Sequence, residues 1–366
     1  MDAYTALNSE YIIDGNRMDS TPAALLEECG SRLKAGGRCT DTPVCGSISD
    51  ESLDRTVTCP AYKREQIARY AAEVEKLCSR PRPFETAFPK QHSRQRIAKA
   101  LIDAIWTKGD FSLDSLELAL RWEWNPERMG AMAAFYASAA AASDYIYDLD
   151  CSVSSYDFCD RAGSTEYPDS ADGGECRFEC KVEVCGSERI CPEKIKGDDS
   201  DWIIYIPFDT CAFRLGGSLL SRIEGDNGDL APENGDPDWF IDCYEVVREL
   251  VCDGIVLSGT TVCDGGLQAA LGRICDNARL NVSGISASYR ESDTVRILFS
   301  EVPGALIRIR DIDFDYLDSQ MLLQDIAYYP LGHPCAEGGI SVTDHSPNGI
   351  GRILDSLMSQ ASEGED

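Results

Sequence analysis

Gly259-Thr260-Thr261-Val262-Cys263-Asp264-Gly265-Gly266-Leu267-Gln268-Ala269-Ala270-Leu271 is a short apolar run that ends in Asp-Gly-Gly and opens into a helical pattern. Two glycines let a backbone turn sharply and approach a ligand closely, and the helix that follows offers free N–H groups and the positive end of its dipole to an anion. The same three residues also make an ordinary turn, so a phosphate cradle and a plain strand-to-helix turn are both open at this point.

Three further stretches stand in a fixed order around it. Phe208-Asp209-Thr210-Cys211-Ala212-Phe213-Arg214-Leu215-Gly216-Gly217-Ser218-Leu219-Leu220 lies upstream. Arg296-Ile297-Leu298-Phe299-Ser300-Glu301-Val302-Pro303-Gly304-Ala305-Leu306 and Leu322-Leu323-Gln324-Asp325-Ile326-Ala327-Tyr328-Tyr329-Pro330-Leu331-Gly332-His333-Pro334 lie downstream. In this order and spacing, residues 90–366, with the closing Gln360-Ala361-Ser362-Glu363-Gly364-Glu365-Asp366, resemble the second synthase-like half of the large single-chain phosphoribosylformylglycinamidine synthases.

The resemblance implies an α+β fold: a two-domain aminoimidazole-ribonucleotide-synthase-like unit, with an N-terminal α/β domain that has an exposed sheet and a C-terminal layered α/β domain. The expected division is synthase-like domains over 61–199 and 200–366, the break falling in the polar Lys196-Gly197-Asp198-Asp199-Ser200, behind a leader or linker at 1–60 that has little periodicity. In that family ATP phosphorylates the amide oxygen of formylglycinamide ribonucleotide, and ammonia from a glutaminase domain displaces the phosphate. Such chemistry needs magnesium held by carboxylates, a glycine-rich phosphate cradle and donors for the charge on the transferred group. By resemblance, Asp264, Gly265 and Gly266 stand at the cradle, and Gly216, Gly217 and Ser218 at a second glycine turn. Glu301, at the end of an apolar run, is placed either as a metal or substrate carboxylate or as a solvated charge. ATP or ADP with Mg²⁺, a small phosphorylated ligand, and a first synthase half plus glutaminase, or a second copy of the chain, are the implied cofactors and partners; in that family the N-terminal domains of two halves pack sheet to sheet, so an isolated half is expected to leave an apolar sheet face, with the Trp122-Glu123-Trp124 strand at or near it, for a partner.

The polar motifs of the N-terminal half depart from that pattern. Trp122-Glu123-Trp124 and the alanine-rich helix ending in Asp148-Leu149 match, but Glu127-Arg128-Met129-Gly130 stands for the family's Lys-Asn-Glu-Gly, and Tyr156-Asp157-Phe158-Cys159 for Gly-Lys-Asp-Ser. Asp157 in place of a lysine reverses the local sign and repels a triphosphate that no metal screens. The expectation is a nucleotide site that is lost or remodelled, a chain inactive by itself, and no catalytic residue to assign. A pseudoenzyme acting as a binding or scaffold subunit is the alternative to a working fragment.

Composition agrees with a folded, acidic protein. The 366 residues are 43% hydrophobic and 27% charged, with a formal charge of −29, which excludes sequence-independent nucleic-acid binding and attraction to anionic membranes. The opening Met1-Asp2-Ala3-Tyr4 has no signal-like character and no apolar run reaches spanning length, so the 17 cysteines read as reduced thiols of a cytoplasmic protein. Cys176, Cys180, Cys185 and Cys191 admit a metal reading, whereas the alternation of Arg177 to Cys185 makes Cys180 a small core residue beside Phe178 and Val182. His92, His333 and His345 are scattered, and His333 in Pro-Leu-Gly-His-Pro reads as structural. Asp311, Asp313, Asp315 and Asp318 lack the glycine and glutamate of a calcium loop and read as a solvated acidic edge.

Periodicity predicts helices over 22–33, 63–78, 94–106, 129–149, 218–224, 237–252 and 267–277. It predicts strands near 177–184, 202–207, 255–257, 295–299 and 305–310. Residues 1–60 apart from the first helix, and 164–175, read as loosely packed Gly/Ser/Asp-rich segments.

Overall fold

The structure, a computed structural model, describes residues 2–32, 62–107, 112–161, 176–183, 188–196, 198–225 and 228–344. The expectations at Cys39–Asp54, Ser164–Glu175, Cys185, His345 and Gln360–Asp366 lie outside them.

The chain opens with α1 (Ala3–Asn8), the hairpin β1 (Ile12–Ile13) and β2 (Asn16–Arg17), and α2 (Pro22–Arg32). These residues are packed rather than loose. Leu26 and Cys29 of α2 and Ala6 and Leu7 of α1 are buried, Ser143 Oγ donates to Leu25 O at 2.7 Å, and Tyr156 OH donates to Glu27 at 2.9 Å. The composition of 1–60 hides this because only two short apolar stripes are needed to seat two helices on the alanine-rich helix that follows later in the chain.

Next come α3 (Tyr62–Cys78), α4 (Pro89–Ile105), β3 (Glu117–Trp124), α5 (Ala131–Asp148), β4 (Ser152–Asp160) and β5 (Arg177–Val182). Pro89 pre-sets the first turn of α4, and Gly130, at φ 77°, turns the chain into α5. β3 is the centre of a three-stranded sheet, parallel to β4 through the α5 crossover and antiparallel to β5. Its alternation is complete: Leu118, Leu120, Trp122 and Trp124 are buried, while Glu117 and Arg121 are exposed. The tryptophans point inward, with Trp122 Nε1 donating to Ser138 Oγ at 2.9 Å and Trp124 Nε1 to Ala131 O at 2.8 Å. The outer face, expected to be apolar and awaiting a partner, is instead charged. Asp157, Arg121 and Glu179 stand side by side across the three strands, flanked by Lys181 opposite Ala119 and by Arg177 opposite Glu123.

The second sheet is built from β6 (Trp202–Pro207), β7 (Val256–Val262), β8 (Ala278–Asn281), β9 (Gly304–Ile309), β10 (Tyr329–Pro334) and β11 (Ile340–Thr343), in the order β11-β8-β10-β6-β9-β7. It is mixed, with β11 parallel to β8 and the other pairs antiparallel. β6 and β9 are covered on both faces and alternate between two cores. Ile204, Ile206 and Ile307 join α4, α5, α7 (Pro237–Cys252) and α11 (Phe314–Leu323) in a core continuous with that under the three-stranded sheet. Ile203, Tyr205 and Leu306 face α3, α6 (Leu219–Glu224), α8 (Gly266–Ile274), α9 (Ser283–Tyr289) and α10 (Thr294–Phe299).

Several assignments differ from the sequence reading. The apolar run 295–299 is helix α10, because Asp293 accepts from Val295 N and caps a single short turn pair, which a run too short to show its period cannot reveal. α8 stops at Ile274, and the chain enters β8 four residues later. Asp311 to Asp318 form a 3₁₀ turn and the start of α11, with Asp311, Asp315 and Asp318 exposed.

Candidate functional site

The residues singled out in sequence come together where α4 crosses the starts of α6 and α8. α4 carries two stripes. Ile97, Leu101, Ile102 and Ile105 are the apolar one, and His92, Gln95, Arg96, Lys99 and Asp103, at spacings of three and four, are the polar one. The polar stripe lies against the segment after β7. Arg96 holds Asp264 through two bonds, Nη1 to Oδ2 at 3.1 Å and Nη2 to Oδ1 at 2.5 Å, and its Nη2 lies 3.3 Å from Cys263 Sγ. Asp103 accepts from Lys99 at 2.5 Å and from Thr261 Oγ1 at 2.5 Å, and Trp106 Nε1 donates to the same hydroxyl at 2.9 Å.

Glu301 sits at the centre of this junction with its side chain 2% exposed. One oxygen accepts from Leu219 N and Gly265 N, both at 2.9 Å, and the other from Arg82 Nη2 at 2.8 Å and Gln95 Nε2 at 3.2 Å. A carboxylate ringed by donors is an internal anion; it presents no free oxygen pair to a cation and no solvated surface. Arg82 also donates to Gly217 O at 2.6 Å, which ties the α3–α4 linker to the second glycine turn.

The glycines have packing reasons of their own. Gly265 and Gly266 both have positive φ, 76° and 66°. A Cβ on Gly265 would lie 2.7 Å from Val74 Cγ1 and 2.8 Å from Cys78 Sγ of α3, and one on Gly266 2.6 Å from Leu298 O. A Cβ on Gly216 would meet the backbone of Asp229 and Leu230 at 2.4 Å. Ser218 caps α6, its Oγ accepting from Ser221 N at 3.2 Å. The start of α8, read in sequence as a phosphate cradle or a plain turn, lies beneath α3 with its first N–H donors turned onto Glu301 and Cys263 O.

Electrostatics follow from burial. Burial alone would raise Asp264, but Arg96 and then Arg82 hold its carboxyl well below the usual carboxylate range. For Glu301, burial and the neighbouring Asp264 prevail over Arg82 and shift the carboxyl upward, so it takes a proton before Asp264 as pH falls. Burial, then Arg96 and Arg82, keep His92 neutral well below its usual range. Glu85 N donates to His92 Nδ1 at 2.8 Å, so the proton is on Nε2, which is buried without a partner beside a cavity of about 10 Å³ lined by Gln95, Gly216, Gly217, Asn234 and Glu301. Burial pushes the Cys263 thiol up to about 12, which leaves it unreactive.

The N-terminal motifs are elsewhere. Met129 is 98% exposed in the β3–α5 turn, and Asp157 is on the outer sheet face next to Arg121. Phe158 packs inward on Phe135, with ring centres 4.9 Å apart. Two larger open cavities flank the junction. One, of about 440 Å³, is lined by Arg94, Arg214, Asp209, Glu233 and Asp236; the other, of about 370 Å³, by Phe84, Phe88, Arg128, Ser221 and Arg222. Among the described residues no group of three or more His, Cys, Asp or Glu side chains is placed to hold a metal. Sequence reasoning missed Arg82, Gln95 and Arg96. The polar stripe on α4 was visible as spacing, whereas Arg82 in Pro81-Arg82-Pro83 offered only a helix stop.

A three-stranded sheet joined by a crossover helix, set against a six-stranded mixed sheet with helices on both faces, matches a solved structure, T. maritima PurL complexed with FGAR. The TM-score is 0.52 at 12% identity, covering 70% of this chain and 40% of that one. The fold is aminoimidazole-ribonucleotide-synthase-like. In sequence, the chain is similar to the "Probable phosphoribosylformylglycinamidine synthase, chloroplastic/mitochondrial" of Arabidopsis thaliana, 23% identical over 259 residues, 67% of this chain and 17% of that protein. It is similar also to the phosphoribosylformylglycinamidine synthase of Homo sapiens, 21% identical over 160 residues, 44% of this chain and 12% of that protein. The chain thus matches less than a fifth of either relative. No protein-family model matches it. No helix among the described residues is long and apolar enough to cross a membrane.

Proposed function

We propose that this chain is a synthase-like unit, related to the second half of phosphoribosylformylglycinamidine synthases of purine biosynthesis, that does not perform ATP-dependent amidine formation by itself and serves as a binding or scaffold subunit. The observation that carries this reading is the engagement of Glu301 by the N–H groups of Leu219 and Gly265, the donors that a phosphate cradle at these turns would use. The position of Asp157 on the outer sheet face supports it, since phosphoryl transfer depends on positioned cations and that face holds a carboxylate where the resemblance called for a lysine. Any ATP or ADP with Mg²⁺ binds weakly, and Asp264, Gly265, Gly266, Gly216, Gly217 and Ser218 act as packing residues before they act on a phosphorylated ligand. The proposed partners are a first synthase half with its glutaminase, or a second copy, in the cytoplasm, and the domain division falls near residue 200, between the two sheets.

A second reading, a working fragment that is active inside a larger assembly, is favoured by the sequence similarity to the Arabidopsis thaliana synthase. Calorimetry with ATP and Mg²⁺, followed by an ammonia-dependent turnover assay on formylglycinamide ribonucleotide, separates the two. Tight binding with turnover by the pure chain defeats the scaffold reading. Turnover that appears only after a first half and glutaminase are added selects the fragment. Sedimentation at high concentration tests the self-association.

A further inference from the structure

Four separate segments aim donors at the Glu301 carboxylate: Arg82 from the α3–α4 linker, Gln95 from α4, Leu219 N from the second glycine turn and Gly265 N from the first. Arg82 is 7% exposed in its side chain, its Nε has no hydrogen-bond partner, and that nitrogen lies 4.0 Å from Asp264 Oδ1. Arg82, Arg96, Asp264 and Glu301 together are neutral. Gln95 Nε2 also donates to the Glu301 backbone O at 2.9 Å and keeps that bond whatever the side chain, but without the Glu301 carboxylate the cage holds one net positive charge, largely buried, with the Leu219 and Gly265 N–H groups pointed at an empty centre and their desolvation cost unmet.

We propose that this cage is an oxyanion-binding site whose occupant is the chain's own Glu301, and that it takes a small free carboxylate once that side chain is removed. Glu301→Ala deletes Cγ, Cδ and both oxygens, the heavy atoms of one acetate ion, so acetate is the matching occupant. In the intact protein the site is filled, and a free phosphate or nucleotide phosphate cannot reach the donors of Leu219 and Gly265. The site rests on geometry separate from the question of catalysis. Turnover by the wild-type chain would sink the scaffold reading and leave this one to its own test.

The test is thermal unfolding of the full chain at pH 7 and constant ionic strength, with acetate exchanged for chloride, in wild type, Glu301→Ala and Glu301→Gln, the last keeping the cage filled. The expected result is that E301A unfolds at lower temperature than wild type and recovers saturably with acetate, its unfolding equilibrium constant falling about elevenfold when acetate reaches ten times its Kd. Wild type and E301Q should not respond, and the double variant R82A/E301A should lose the response. If E301A does not fold in chloride, refolding yield against acetate concentration gives the same readout. An E301A chain that stays unfolded at every acetate concentration, or whose midpoint moves no more than that of E301Q, overturns the proposal. So does saturable acetate protection of the wild type.

Discussion

Basic side chains meet carboxylates in two contrasting settings in this molecule and do different things there. On the outer face of the three-stranded sheet, Arg121 reaches Glu123 at 3.5 Å and Lys181 reaches Glu179 at 3.4 Å, with the Arg121 and Lys181 side chains 51% and 75% exposed. At the junction of α4 with α6 and α8, Arg82–Glu301 and Arg96–Asp264 are largely withdrawn from solvent, the arginines 7% and 9% exposed and Asp264 22%. Water screens the first set, so it contributes solubility and little stability. The second set gave up its hydration on folding, and each member is held by the others, so loss of one strands its partner. Identical chemical groups are therefore ornamental in one region and obligatory in the other, and burial decides which.

The largest expected effect tests that contrast directly. Arg96→Ala leaves the largely covered Asp264, 22% exposed in its side chain, without its two-bonded partner and should lower unfolding free energy in urea by about 3 kcal/mol; a loss under about 1 kcal/mol would erase the distinction between the two regions. Glycines give a second pairing. Gly266→Ala combines a positive φ with contact to Leu298 O and should cost about 2–4 kcal/mol. Gly130→Ala, with the same sign of φ at 77° but open space around it, should cost about 1 kcal/mol. Equal losses for both would mean that close packing at α8 adds nothing.

A pH measurement sharpens the buried side. His92 has a depressed folded pKa, so the unfolded chain takes up a proton near the ordinary histidine value while the folded chain does not, and stability falls as pH drops below about 6.5. Its contribution should be a slope of at most about 1.4 kcal/mol per pH unit between roughly pH 6.5 and 5, absent in His92→Gln. Identical slopes in the two proteins would show that His92 protonates in place. Asp264 acts in the same direction at lower pH, its stabilisation lost as pH falls through its depressed folded value. At the small end, Lys181→Ala on the sheet face should change stability by less than about 0.5 kcal/mol, and a larger loss would show that this face is organised by its charges.

α7 and β6 were legible to the residue, the helix because a 3.6 repeat ran its whole length with Asp236 and Pro237 marking its start, and the strand because it is one uninterrupted apolar run closed by Pro207. Periodicity misread 295–299, because the six residues Thr294–Phe299, four of them β-branched or aromatic, fit one and a half turns as well as a strand. The site was half visible. The glycine turns and Glu301 were found as separate motifs and do converge, but what joins them is Arg82, Gln95 and Arg96, whose roles exist only after α4 has been laid across the second sheet. Spacing along one chain cannot report a donor supplied by another element. The outer sheet face was misjudged for the opposite reason: Trp122 and Trp124 dominate the motif by size, whereas the residues between them, Arg121 and Glu123, are the ones that face out.

The strand order of the second sheet also sets a schedule. β6 lies at its centre, yet both of its neighbours come late: β9 begins at Gly304 and β10 at Tyr329. During synthesis Ile203, Ile204, Tyr205 and Ile206 must wait about a hundred residues for their first partner strand, roughly 5–20 s at ordinary elongation rates. For that interval both edges of an apolar strand are open to any other chain nearby, which makes the ribosome-bound half of this protein the stage at which chaperone contact matters most.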